Sequence, residues 1–202
     1  MKALSSLVLL FALCFALPAQ AADIADYFGY YMDLVQVSSK RSVLDFLQDD
    51  GQNALKASPS RKVAIDRANG YLQISDNSGT DQVLTMAVHR RADGSQLLVV
   101  GASNCADGCD FSVQFFNVVG DRLSSVPRDS VLAAIEPTRF IRPGMAGPTN
   151  EPKVNYMPSR IGTALTLKPW YGYEVEAQMS KATRAAIQDV VLNWDRVNGR
   201  FR

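Results

Sequence analysis

Three apolar runs separated by short turns fill the stretch from Asp81 to Pro127, and connections this short favour antiparallel hairpins over any other arrangement. In Gln82 to His89, the alternate residues Leu84, Met86 and Val88 share one face, because successive side chains of a strand point to opposite sides. That face is expected to be buried. Gln96 to Ala102 is apolar on both faces, as suits a central strand covered on both sides. Asp110 to Val119 alternates again, with Phe111, Val113 and Phe115 inward and Ser112 and Gln114 outward until Phe116. Ala92-Asp93-Gly94, Asp107-Gly108 and Val119-Gly120-Asp121 supply turn residues that accept positive φ. The cheapest connectivity is a meander.

Upstream, Ile24, Tyr27, Phe28, Tyr31, Leu34 and Val35 recur at helical spacing, which predicts an amphipathic helix from Asp23 to Val37. Its aromatic stripe reads as core in preference to a ligand-stacking role for Tyr27, Tyr30 and Tyr31. Ser42 with Asp45 resembles a helix cap, and Val43, Phe46 and Leu47 then face one way until Gly51. Ala54 to Ala57 reads as one more turn, stopped by Pro59. Lys62 to Ile65 and Tyr71 to Ile74 flank the turn Asn69-Gly70 and open the sheet. Asp76 to Asp81 is rich in oxygen ligands, yet it lacks the downstream glutamate of a calcium loop and reads as a turn. The predicted fold class is α+β: N-terminal helices packed on an antiparallel β-meander sheet, in a single domain over 22–202.

The first 21 residues have the form of a signal peptide. Lys2 precedes an apolar run from Ala3 to Leu17, and Pro18-Ala19-Gln20-Ala21 places small residues for a cut after Ala21. Cys14 sits inside that run without a lipobox, so a freely soluble periplasmic or secreted protein is expected, with no transmembrane span. Beyond the leader, 20 basic residues face 20 acidic ones, which argues against a nucleic-acid partner. The balance is uneven. Residues 22–136 are net −5 and residues 137–202 net +5, from packing that neutralises the two parts or from a basic patch for an acidic partner.

The exported leader, the pattern Arg41-Ser42-Val43-Leu44-Asp45-Phe46, and Tyr71-Leu72-Gln73-Ile74 ahead of a hydrophobic meander together resemble uncharacterised exported domains of Gram-negative bacteria, families of unknown function. The resemblance covers roughly residues 24–126. It implies a periplasmic α+β domain and no activity.

Two cysteines remain once Cys14 leaves with the leader, and in an oxidising compartment Cys105 and Cys109 are expected to form a disulfide that fixes the turn between two strands. Two chemistries compete with that structural role. A thiol-redox centre normally has two intervening residues at a helix N-terminus. A copper(I) site could recruit His89 or Met86 as a soft third ligand, although the two project to opposite faces of their strand. Structural zinc would need four ligands, which one histidine and two cysteines do not supply. His89 is the single histidine, and no nucleophile elbow, Ser-x-x-Lys, zinc-protease helix, phosphate loop or dinucleotide fingerprint is present. Paired carboxylates stay formally open, yet Asp76, Asp81, Asp93, Asp107 and Asp121 all fall in turns. No catalytic residue, metal ligand or cofactor is predicted.

After Ser130 to Ile135, read as more sheet or a turn of helix, the chain changes character. Pro137, Pro143, Pro148, Pro152 and Pro158 with Gly144 and Gly147 predict an irregular Pro/Gly-rich loop at about 137–159. Long loops in compact domains are often functional, which makes Arg139, Phe140, Arg142, Tyr156 and Arg160 the candidate binding residues. Order resumes at Ile161 to Leu167, and Pro169 to Gly172 turns the chain into Tyr173 to Ala177. The last segment fits both helical and strand spacing; the reading adopted is a helical turn near 181–186 and a strand from Asp189 to Val197, with Asn198-Gly199 as a hairpin turn. The function expected is non-enzymatic binding of a protein, peptide or envelope component, with a copper or thiol-redox accessory role through Cys105 and Cys109 as the alternative.

Overall fold

A computed structural model of the chain describes residues 23–37, 51–78, 81–105 and 108–202. The leader, the second helix predicted from Ser42 and the centres of two turns lie outside the described residues. The chain enters through α1 (Ile24–Val37) and a 3-10 turn at Gly51–Leu55, then runs through β1 (Arg61–Asp66), β2 (Tyr71–Asp76), β3 (Asp81–Arg90), β4 (Gln96–Cys105), β5 (Cys109–Val119) and β6 (Arg122–Val126). These six strands form one antiparallel sheet in sequence order, the predicted meander with two strands before it and one after.

The alternation in the sequence maps onto two cores. Leu72, Ile74, Leu84, Met86, Leu98, Val100, Ala102 and Phe116 share one core with Ile24, Tyr27, Phe28, Tyr31, Met32 and Val35 of α1. The tyrosine hydroxyls at its edge are satisfied, Tyr27 donating to Gln96 and Tyr31 to Gln114 at 2.9 Å. The aromatic stripe is therefore packing. Burial pushes the Tyr31 phenol up well beyond its ordinary range, as an interior hydroxyl far from charge requires.

The opposite face carries a second sheet that the sequence reading did not foresee. After β6 come α2 (Arg128–Val131), a 3-10 turn at Pro137–Phe140, β7 (Lys153–Pro158), β8 (Ala164–Trp170), α3 (Tyr173–Gln178), α4 (Lys181–Ala186), β9 (Val190–Asp195) and β10 (Arg200–Phe201). The four strands pair antiparallel in the order β10-β9-β8-β7. Their inward residues Tyr156, Leu165, Leu167, Val190, Leu192, Trp194 and Phe201 close over Leu97, Val99 and Phe115. The architecture is mixed but mostly β: the expected antiparallel meander and helices are present, and a second sheet is added to them. β4 is buried on both faces because α1 covers one and the smaller sheet covers the other.

The loop expected to be irregular over 137–159 is only partly so. Lys153–Pro158 of it form β7, an edge strand whose single neighbour is β8, and an edge tolerates proline because half its ladder donors have no partner to lose. Pro169 lies within β8 and not in a turn, at a position past the last residue paired with β9. The C-terminal reading holds: helix at 181–186, strand at 190–195, then a turn at Asn198-Gly199 that leads into β10.

Candidate functional site

The five residues predicted to line a binding loop do not converge. Phe140 is 1% exposed and belongs to the core between the sheets. Tyr156 is buried there as well; its ring carries the Arg128 guanidinium, which also donates to its hydroxyl. That neighbour opposes the upward push of burial on the phenol without cancelling it. Arg160 lies elsewhere, donating to Asp66 at 3.0 Å on the first sheet. Only Arg139 and Arg142 remain exposed in the segment that follows the Pro137 turn.

Arg139 lines a groove assembled from distant parts of the chain, and Arg142 follows it on the same segment. Ile141 forms an isolated antiparallel bridge with Ile187; the Arg142 amide donates to Ala186 O and the Gln188 amide to Phe140 O. Gln188 secures the contact with its side chain, its Nε2 reaching Arg139 O at 3.0 Å and Ile141 O at 3.4 Å. The resulting cavity measures about 380 Å³ and is lined by Thr138, Arg139, Ile141, Pro143, Asp189 and Val191 among others. Val191, on the outward face of β9, is 55% exposed. The lining mixes apolar Ile141, Pro143 and Val191 with polar Thr138 and Gln188 and charged Arg139 and Asp189.

The charge is mostly positive. α4 adds exposed Lys181 and Arg184 to Arg139 and Arg142, and none of the four forms an ion pair among the described residues. Arg184 donates only to the carbonyls of Glu176 and Met179. The one acid in the groove, Asp189, faces Lys168 at 3.9 Å. Elsewhere the basic surplus of 137–202 is partly neutralised across the sheets, by Lys153 with Asp110 and Arg160 with Asp66. Arg139, Arg142, Lys181, Arg184, Arg196 and Arg200 form no ion pair among the described residues. Sequence reasoning missed Gln188, Asp189 and Val191, since nothing local links 188–191 to 138–142; the uneven charge was the available signal.

Cys105 and Cys109 stand opposite each other as the last register pair of β4 and β5, at disulfide-bonding distance with Cα atoms 4.0 Å apart. Cys109 is buried beneath the Tyr173 hydroxyl at 3.7 Å, and the adjoining ledge is Trp170 set edge-on to both Phe111 and Tyr173. The candidate third ligands of a copper site are not there. His89 pairs with Leu97, eight residues along the ladder from the Asp81–Cys105 pair, a separation of about 26 Å at strand rise. Met86 is buried in the core under α1, on the opposite face.

No family model and no curated protein matches this chain. Among solved structures, a domain of an uncharacterized protein from Porphyromonas gingivalis W83 is similar at 12% identity, with a TM-score of 0.56, over 90% of this chain and 98% of that one. A likeness at that identity establishes the shared fold and carries no activity with it.

Proposed function

We propose that the chain is an exported, non-enzymatic domain that binds a protein, peptide or envelope component of acidic character in the groove between residues 138–143 and 188–191. The support for this reading is Arg139 standing in the groove beside Ile141, Pro143 and Val191, with three further exposed cations, Arg142, Lys181 and Arg184, on the flanking segments joined by the Arg142 amide to Ala186 O. A floor of Ile141, Pro143 and Val191 offers area for apolar side chains, and guanidinium groups at the rim favour carboxylates or phosphates, which they can engage with paired hydrogen bonds. Gln188 keeps the two walls in register, so the groove exists before a ligand arrives. The copper or thiol-redox alternative has no comparable support, because neither His89 nor Met86 lies near the sulfurs.

The test uses the chain from Ala22 onward and a fluorescent glutamate-rich peptide with interspersed leucines. Binding should weaken with added salt, and Arg139→Gln with Arg142→Gln should cost about tenfold in affinity, or ~1.4 kcal/mol. Unchanged affinity in that double variant would remove the groove as the contact surface. Export is a separate matter, read from the N-terminus of protein recovered from cells: Ala22 is expected, and intact Met1 in the cytosol would contradict it.

A further inference from the structure

We propose that His89 is an acid-sensitive latch that holds the C-terminal hairpin, β9 and β10, against the six-stranded sheet. Its imidazole is 1% exposed and neither nitrogen has a hydrogen-bond partner. Such an arrangement is unusual, because buried polar atoms in folded proteins nearly always find one. The ring is instead enclosed by aromatics: Trp194 of β9 with centroids 5.4 Å apart, and Phe201 of β10 edge-on at 5.0 Å.

The element that closes over His89 is short. β10 is two residues long and pairs only with β9, apart from one parallel bridge from Phe201 to Leu132. Its hold on the domain rests on Phe201, which touches His89, Trp194 and Phe115. Two hydrogen bonds tie the hairpin to the six-stranded sheet's β3–β4 end, the Trp194 indole donating to the carbonyl of Arg90, beside His89, and the Ala92 amide donating to the Arg196 carbonyl at 2.9 Å, while β9 itself pairs with β8.

No charge is placed to receive a proton on the ring. β4 sets Leu97 opposite it, β9 sets Trp194 and β10 sets Phe201. Alternation turns Arg90 on its own strand, Asp195 on β9, and Arg200 and Arg202 on either side of Phe201 the other way, with Asp195 held by Arg202 and Asn198; Arg91, a cation that cannot accept a proton, reaches across to Asn117 at 2.8 Å. Tyr71, on β2 beside Ala87, is neutral in this range and its hydroxyl donates to Gln73. Burial alone therefore depresses the imidazole, from 6.5 to about 4.

With the hairpin released, the ring is solvated and titrates near its ordinary value, so the open form binds the extra proton between those limits. The closed form is fully favoured above about pH 6.5 and loses ground as pH falls toward 4. From pH 7 to 4 the opening equilibrium should rise about 100-fold. Opening would bare Leu97, Val99 and Phe115 to a partner or to aggregation.

The test is amide hydrogen exchange on the full described domain, reported as protection factors so that the intrinsic pH dependence cancels. Asn193, Trp194 and Arg202 amides should lose about 100-fold in protection between pH 7 and 4, while those of β3 and β4 paired within the meander hold; His89→Leu should abolish that selective loss. Because the leucine variant could fail to fold, the wild-type imidazole is also titrated by its own proton resonance, unambiguous as the single histidine. A midpoint below about 5 supports the latch. A midpoint near 6.5, or loss of protection spread evenly over both sheets, overturns it.

Discussion

A methyl group at position 101 has nowhere to go. A Cβ built on Gly101 would lie 2.2 Å from the carbonyl oxygen of Tyr156, the point where β7 crosses β4, and a backbone atom cannot rotate away. Gly101→Ala should therefore cost on the order of 3 kcal/mol, read by urea denaturation, with the two sheets prised apart locally. Asp76 is the second residue whose chemistry can be forecast. It is 3% exposed, accepts from the Ser78 amide at 2.9 Å and pairs with Arg61 at 2.9 Å; the Ser78 hydrogen bonds and then the arginine hold its carboxyl below the usual range. A carboxylate whose folded pKa is depressed adds stability above its unfolded pKa, and that share disappears as pH falls through the folded value. Asp76→Asn should cost about 2 kcal/mol at neutral pH and progressively less in acid, measured by denaturation across pH. Neither residue announces itself in the sequence: Gly101 reads as one more small residue in a strand, and Asp76 as a turn former.

At the level of elements, what could be read from the chain and what could not divide along a physical line. β3, β4 and β5 were legible because hairpin neighbours are adjacent in sequence and their period-two pattern shows which side is covered. α1 was legible from its 3.6-residue stripe. β7 and β8 were not, since their pairing with the meander is face to face and leaves no local trace, and since prolines at 158 and 169 occupy places where a missing donor costs little. The candidate site suffered the same way: Arg139 and Arg142 could be named, but their partner wall comes from 188–191 through a bridge between Ile141 and Ile187. The cysteine clasp, by contrast, is entirely local. It closes so short a loop that breaking it with Cys105→Ser and Cys109→Ser should cost only about 2 kcal/mol, with β4 and β5 still paired, as thermal unfolding with and without reductant would show.

Across the whole molecule, the six-stranded sheet is a shared wall between two cores, one closed by α1 and the other by the smaller sheet. Charge follows the same division. The acidic first part and the basic last part meet in a few ion pairs, and one of the uncompensated cations, Arg139, lines the groove on the smaller sheet. Among the described residues no helix is long and apolar enough to cross a membrane. The proposed binding role would place its ligand in a groove built on the smaller sheet. The most direct test is a map of amide shifts in the isotopically labelled chain titrated with the glutamate-rich peptide. Shifts confined to 138–143 and 181–191 are the predicted result; a map centred on the Trp170 and Tyr173 ledge, or no shifts at saturating peptide, would contradict it.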